Sequence, residues 1–194
     1  MNRIFEFRWL LVVGLLLSMN AQASISLGFT SATQTANRLE IGLQVSGLGA
    51  ATAPALSTYD LDIHFDPSLL SYSGITFGDP LLGNQLDVFN LGSNSTATEL
   101  TSIGIVNVFE LSLDTPADLN AWQADTFILA TLRFDILNHG SSALTLNVNV
   151  FDDANAMALS PAVQSATITT VPLPSAVWLF LVGFGLSGRG WRIV

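Results

Sequence analysis

Tyr59-Asp60-Leu61-Asp62-Ile63-His64-Phe65-Asp66-Pro67-Ser68-Leu69-Leu70-Ser71-Tyr72 decides the fold. Tyr59, Leu61, Ile63 and Phe65 take every second place, with Asp60, Asp62 and His64 between them. Side chains alternate across a strand, so this pattern reads as a strand with one apolar and one wet face. Asp66-Pro67 ends it. Proline has no N–H for a ladder and fixes its own φ, while Asp66 accepts backbone N–H groups as a turn former.

The same alternation extends in both directions. Leu39, Ile41, Leu43 and Val45 share a face opposite Arg38, Glu40 and Gln44. Ile128, Ala130, Leu132, Phe134 and Ile136 oppose Arg133 and Asp135, and Leu144, Leu146, Val148 and Val150 alternate with Thr145, Asn147 and Asn149. Residues 25–29, 75–77, 86–89, 103–113 and 164–169 are weaker strand candidates. One helical turn is expected over residues 116–122, capped by Asp114 or Thr115. Asn94-Ser95-Thr96 reads as a polar loop. Eight or nine strands, each with one wet face, and no βαβ rhythm predict an all-β fold, an antiparallel β-sandwich.

Charge narrows the function. The 194-residue chain has no Cys and no Lys. Between residues 24 and 170 lie two Arg and fourteen carboxylates, a formal charge of −12. Such a surface repels phosphate backbones and anionic lipid heads, which excludes a nucleic-acid partner. Without Cys there is no disulfide, thiolate or Cys–zinc chemistry, and a body of this size buries enough surface to need no staple.

The aromatic-Asp-Pro-x-x-Leu turn at residues 65–70, after an alternating strand and before Gly78-Asp79, resembles the hallmark of cohesin-like domains. Residues 129–136 resemble that family's penultimate core strand. The resemblance covers most of residues 24–170 and implies a jelly-roll sandwich related to carbohydrate-binding modules. Its members in cellulolytic bacteria bind dockerin modules. No short motif here matches their dockerin-contacting residues, so that activity is not carried over.

Both ends read as addresses. Arg3 and Arg8, the apolar run of residues 9–17 and Ala21-Gln22-Ala23 form a signal peptide over residues 1–23. It is too short to span a bilayer, so it implies the Sec machinery and signal peptidase, with cleavage after Ala23. At the other end, Val171-Pro172-Leu173-Pro174 precedes an apolar segment containing Trp178, and Arg189 and Arg192 follow. As a helix, residues 175–188 would cover about 21 Å of a hydrocarbon core about 30 Å thick, a marginal anchor. The proline box, Trp-containing apolar segment and basic end over residues 171–194 resemble a PEP-CTERM sorting signal, in its Val-Pro-Leu-Pro form. Leu173 stands where the name-giving Glu would be, and two Arg make a weak basic end. The resemblance implies cleavage near the proline box by a membrane exosortase. It also implies release or transfer to the surface of a Gram-negative bacterium that makes exopolysaccharide.

Sites of chemistry are few. His64 and His139 are the only histidines, no Gly-x-Ser-x-Gly elbow occurs, and no carboxylate has an apolar neighbourhood, so no enzyme is expected. Asp60, Asp62 and His64 share a face about 7 Å apart, too far for one ion, and read first as the solvated face of an outer strand. Asp152, Asp153 and Asn155 are the candidate Ca²⁺ ligands. They lack the Gly and closing Glu of a calcium loop and read first as an Asx-rich turn. Trp122 and Tyr72 are the candidate sugar contacts, since aromatic faces stack on pyranose rings; the alternative for Trp122 is a cap on the core. The expectation is a non-catalytic adhesion or matrix protein of the exopolysaccharide or biofilm layer, with a surface protein or polysaccharide as partner. The alternatives are a carbohydrate-binding module and a secreted hydrolase.

Overall fold

The computed structural model describes residues 24–171. The expected signal helix and C-terminal hydrophobic helix, and with them Ala21, Ala23, Pro172, Leu173, Pro174, Trp178, Arg189 and Arg192, lie outside the described residues.

Two sheets face each other. One has the order β10-β1-β3-β8-β5, with β2 also on β3, and the other the order β11-β9-β4-β7-β6. The strands are β1 (Ser26–Phe29), β2 (Thr33–Thr35), β3 (Arg38–Ser46), β4 (Leu56–His64), β5 (Leu70–Phe77) and β6 (Asn94–Ser102). They continue as β7 (Ile105–Ser112), β8 (Thr126–Ile136), β9 (Gly140–Asp153), β10 (Ala162–Val163) and β11 (Ala166–Thr170). The strand that carries Asp60, Asp62 and His64 is β4, and it runs through the middle of the second sheet, between β7 and β9. That corrects its placement as an outer strand. Its apolar face packs inward, where Tyr59, Leu61 and Ile63 share one buried core with Ile41, Leu43 and Phe134 of the facing sheet. Full burial of each aliphatic side chain stabilises by about 1.5–3 kcal/mol. Phe65 and Phe134 meet edge to face at 5.1 Å between ring centroids.

The turn after β4 forms as its residues dictate. Asp66 Oδ1 accepts from the Ser68 N–H at 2.8 Å and the Ser68 hydroxyl at 2.6 Å, and the Asp66 carbonyl accepts from Leu69 and Leu70. The helix α1 (Pro116–Trp122) starts at Thr115, whose hydroxyl accepts from the Asp118 N–H at 3.2 Å.

Several expectations are corrected. Eleven strands occur among the described residues. Residues 86–89 form turns, because Leu86 N–H is drawn to Asn84 Oδ1 and Asn90 N–H to the Asp87 carbonyl. Asn94-Ser95-Thr96 opens β6, a polar edge strand that the ladder with β7 holds extended. The expected strand over residues 164–169 becomes β11 on β9, and just before it the chain adds the short β10 to the other sheet. The β1–β10 pair is parallel, so the sandwich is not antiparallel throughout.

The strands define two ends. At one lie Ser24, the start of β4, α1 and the connection of residues 78–93. At the other lie the turns after β4, β6 and β8, and Val171. There the Gln34 side-chain amide donates to the Val171 carbonyl at 2.8 Å and its oxygen accepts from the Val171 N–H at 3.3 Å.

Candidate interaction surfaces

The outer face of the five-stranded sheet is an open platform. Directly paired residues point to the same side. Asp60 therefore lies between Phe109 and Val150, Asp62 between Asn107 and Asn147, and His64 between Ile105 and Thr145. The Asn107 side-chain amide donates to Asp60 Oδ1 at 2.6 Å and to Asp62 Oδ1 at 2.9 Å, and Asn149 donates to Asp60 Oδ1 at 3.2 Å. The amides of Asn107 and Asn149 hold Asp62 below the usual carboxylate range; partial desolvation opposes them, and the nearby His64 adds to the lowering. Fixed carboxylates flanked by the partly exposed apolar side chains of Phe109, Leu111 and Val150 suit recognition of a polar, partly apolar surface.

Beneath the platform, Glu110 is fully buried. It accepts from the Tyr59 hydroxyl at 2.8 Å, Asn84 Nδ2 at 2.5 Å and Asn94 Nδ2 at 2.7 Å. This differs from the expectation that no carboxylate has an apolar neighbourhood. Burial, then the charge and hydrogen bond of Glu110, push the Tyr59 hydroxyl well above its ordinary value.

Carboxylates also staple residues 78–93. Asp79 accepts from the Leu81, Leu82 and Ile128 N–H groups at 2.8, 3.0 and 2.9 Å. Asp87 accepts from Leu91 N–H and Gly92 N–H, Asp114 from Val88 N–H, and the single Ser93 hydroxyl proton lies between the two carboxylates. Desolvation pushes Asp79 and Asp87 up, but these hydrogen bonds outweigh it and hold both below the usual range. The stapled connection presents Leu81, Phe89 and Leu91 to solvent.

The remaining predicted site residues are scattered. Trp122 is 67% exposed on α1 and meets Phe89 edge to face at 6.4 Å. Tyr72 lies on β5, its ring against Phe134 and its hydroxyl 3.2 Å from Thr98 Oγ1. Trp122 and Tyr72 are thus not brought together. Asp153 Oδ1 accepts from the Asn155 and Met157 N–H groups, an Asx-type turn, while Asp152 pairs with Thr58 across β4. Among the described residues no group of three or more His, Cys, Asp or Glu is placed to hold a metal ion. His139 sits exposed in the β8–β9 turn, far along the chain from His64. Nothing in the sequence singles out Asn107 or Asn149, and the one signal for Glu110 is that it falls in alternation with Val106 and Val108.

No family model matches the sequence, and no curated protein matches it. Solved structures do match. A chain of a type I cohesin–dockerin complex from Clostridium thermocellum has a TM-score of 0.60 at 12% identity, covering 80% of this chain and 99% of that one. A non-cellulosomal cohesin from the archaeon Archaeoglobus fulgidus has a TM-score of 0.56 at 15% identity, covering 81% and 98%. A cohesin from Clostridium acetobutylicum has a TM-score of 0.56 at 19% identity, covering 77% and 92%. Two facing sheets with these neighbours make residues 24–171 a cohesin-like β-sandwich.

Proposed function

We propose that the chain is a non-catalytic protein-binding module of the bacterial envelope, exported by its leader and held, then processed by an exosortase, through residues 171–194. It serves adhesion or assembly in an exopolysaccharide layer. The observation that carries the binding reading is the platform on β4, β7 and β9, where Asn107 fixes Asp60 and Asp62 beside Phe109 and Val150. Solved neighbours that are cohesins in complex with dockerins lend support to a protein partner. The test is capture of partners from the host's extracellular fraction by wild type and by Asn107→Ala with Phe109→Asp. Loss of a captured protein by a variant whose circular dichroism shows that it still folds is expected; identical capture refutes the platform. Intact mass from hosts with and without the exosortase tests sorting separately, and a C-terminus retained in both refutes it.

A carbohydrate-binding reading draws on the exposed Trp122 beside Phe89. Binding to insoluble polysaccharide that Trp122→Ala abolishes would favour it over the protein-binding reading.

A further inference from the structure

The two ends of the sandwich differ in charge and in what they expose. Asp79, Asp87, Asp114, Asp118 and Asp125 crowd the Ser24 end, with Asp152 and Asp153, and among the described residues no Arg lies there. The half toward Val171 sets Arg38 and Arg133 against Glu40, Asp62, Asp66, Glu99 and Asp135. At that end the turns and the last part of β6 carry apolar side chains outward: Ile103 is 89% exposed, Leu137 56% and Leu100 55%. They rim an open cleft of about 420 Å³ floored by Phe65 and Leu70. No function of the platform uses them.

Val171 leaves the sandwich at this same end, fixed by Gln34. Ser175, where the apolar segment begins, is four positions on, a reach of at most about 14 Å. A bilayer holding that segment therefore lies within one short tether of the end of the sandwich that carries Ile103 and Leu137. An anionic bilayer surface repels the Asp-rich end, which has no Arg, more than the end where Arg38 and Arg133 offset part of the carboxylate charge. Apolar side chains at such a distance gain by entering the interfacial layer.

We propose that the Val171 end is a bilayer-facing surface, with Leu100, Ile103 and Leu137 set against phospholipid and the Asp-rich end directed away. The proposal rests on the reading that residues beyond Val171 are held in the membrane. It orients the domain before processing, leaving the platform open sideways to a partner.

The absence of Cys makes the test direct. Full-length chains carrying Ile103→Cys, Leu137→Cys or, as control, Leu91→Cys at the Asp-rich end are labelled with an environment-sensitive fluorophore. They are reconstituted in phosphatidylethanolamine–phosphatidylglycerol vesicles with and without spin-labelled lipid. Quenching by the spin label severalfold greater at 103 and 137 than at 91 is expected. Equal quenching at all three sites, in chains that resist carbonate extraction, overturns the proposal and leaves the tether reading intact. A blue-shifted label at 103 without lipid quenching means that protein, not lipid, covers the end, and also overturns it. Chains extracted by carbonate remove the tether reading and the proposal together.

Discussion

Replacing Glu110 by Ala removes the acceptor for three donors at once. The Tyr59 hydroxyl is fully buried and has nowhere else to turn, whereas Asn84 and Asn94 lie partly exposed and can regain water. A stranded buried donor costs about 1–3 kcal/mol, so about 2 for Tyr59 and roughly 0.5–1 for each Asn gives a loss of about 3–4 kcal/mol. Glu110→Gln keeps the shape. Its oxygen still accepts from both Asn side chains, but its amide faces the Tyr59 oxygen and leaves the Tyr59 O–H without an acceptor, so the loss is about 2 kcal/mol, smaller than for Ala. Urea unfolding followed by circular dichroism reads both, with a stability of about 5–15 kcal/mol as the usual scale. Equal losses for Ala and Gln, or an Ala loss under about 1 kcal/mol, would refute the assignment of Glu110 as the shared acceptor.

Acid should act on the same region. Asp62, Asp79 and Asp87 sit lower in the fold than the unfolded value near 3.9, so their stabilisation is present above about pH 4 and lost as pH falls through the folded values. A urea midpoint unchanged between about pH 5 and about pH 2.5 would contradict this. Tyr59 is raised, so its contribution is present below about pH 10 and lost above it; in a Tyr72→Phe variant, phenolate absorbance should appear only with unfolding. Gly104 has φ of 82° and a Cβ there would lie 2.8 Å from the Phe65 carbonyl oxygen, while Gly83, at φ of 76°, has nothing within 4 Å. Gly104→Ala should therefore cost about 2–3 kcal/mol and Gly83→Ala about 1, and a reversed order in thermal unfolding would contradict the packing of that turn.

The core strands were legible because alternation runs through most of each: β3 keeps it throughout, whereas bulges break it in β8 and β9, so that Phe127 faces the core in place of Ile128 and Val150 joins the outer platform instead of the face of Leu144. β6 was not, since Asn94–Ser102 is polar on both faces and is strand only because β7 offers a ladder. In β7 both alternating sets hold apolar residues, Ile105, Phe109 and Leu111 against Val106 and Val108. Tyr59, Asn84 and Asn94 decide between them by holding Glu110 inside. The Asp66 turn was readable from two residues, whereas the platform needed Asn107 and Asn149 brought from strands far apart in sequence.

Gln34 also matters for mechanics. A pull on the chain beyond Val171 enters along β11, parallel to its own axis, and β11 pairs with β9 from Ala166↔Leu144 to Thr170↔Gly140. Force in that direction shears the ladder, so its hydrogen bonds share the load instead of opening one after another. The amide of Gln34 adds a clamp from the other sheet at the point where the load arrives. A sandwich gripped at its platform and hauled by its C-terminus is thereby strung along its stiffest direction.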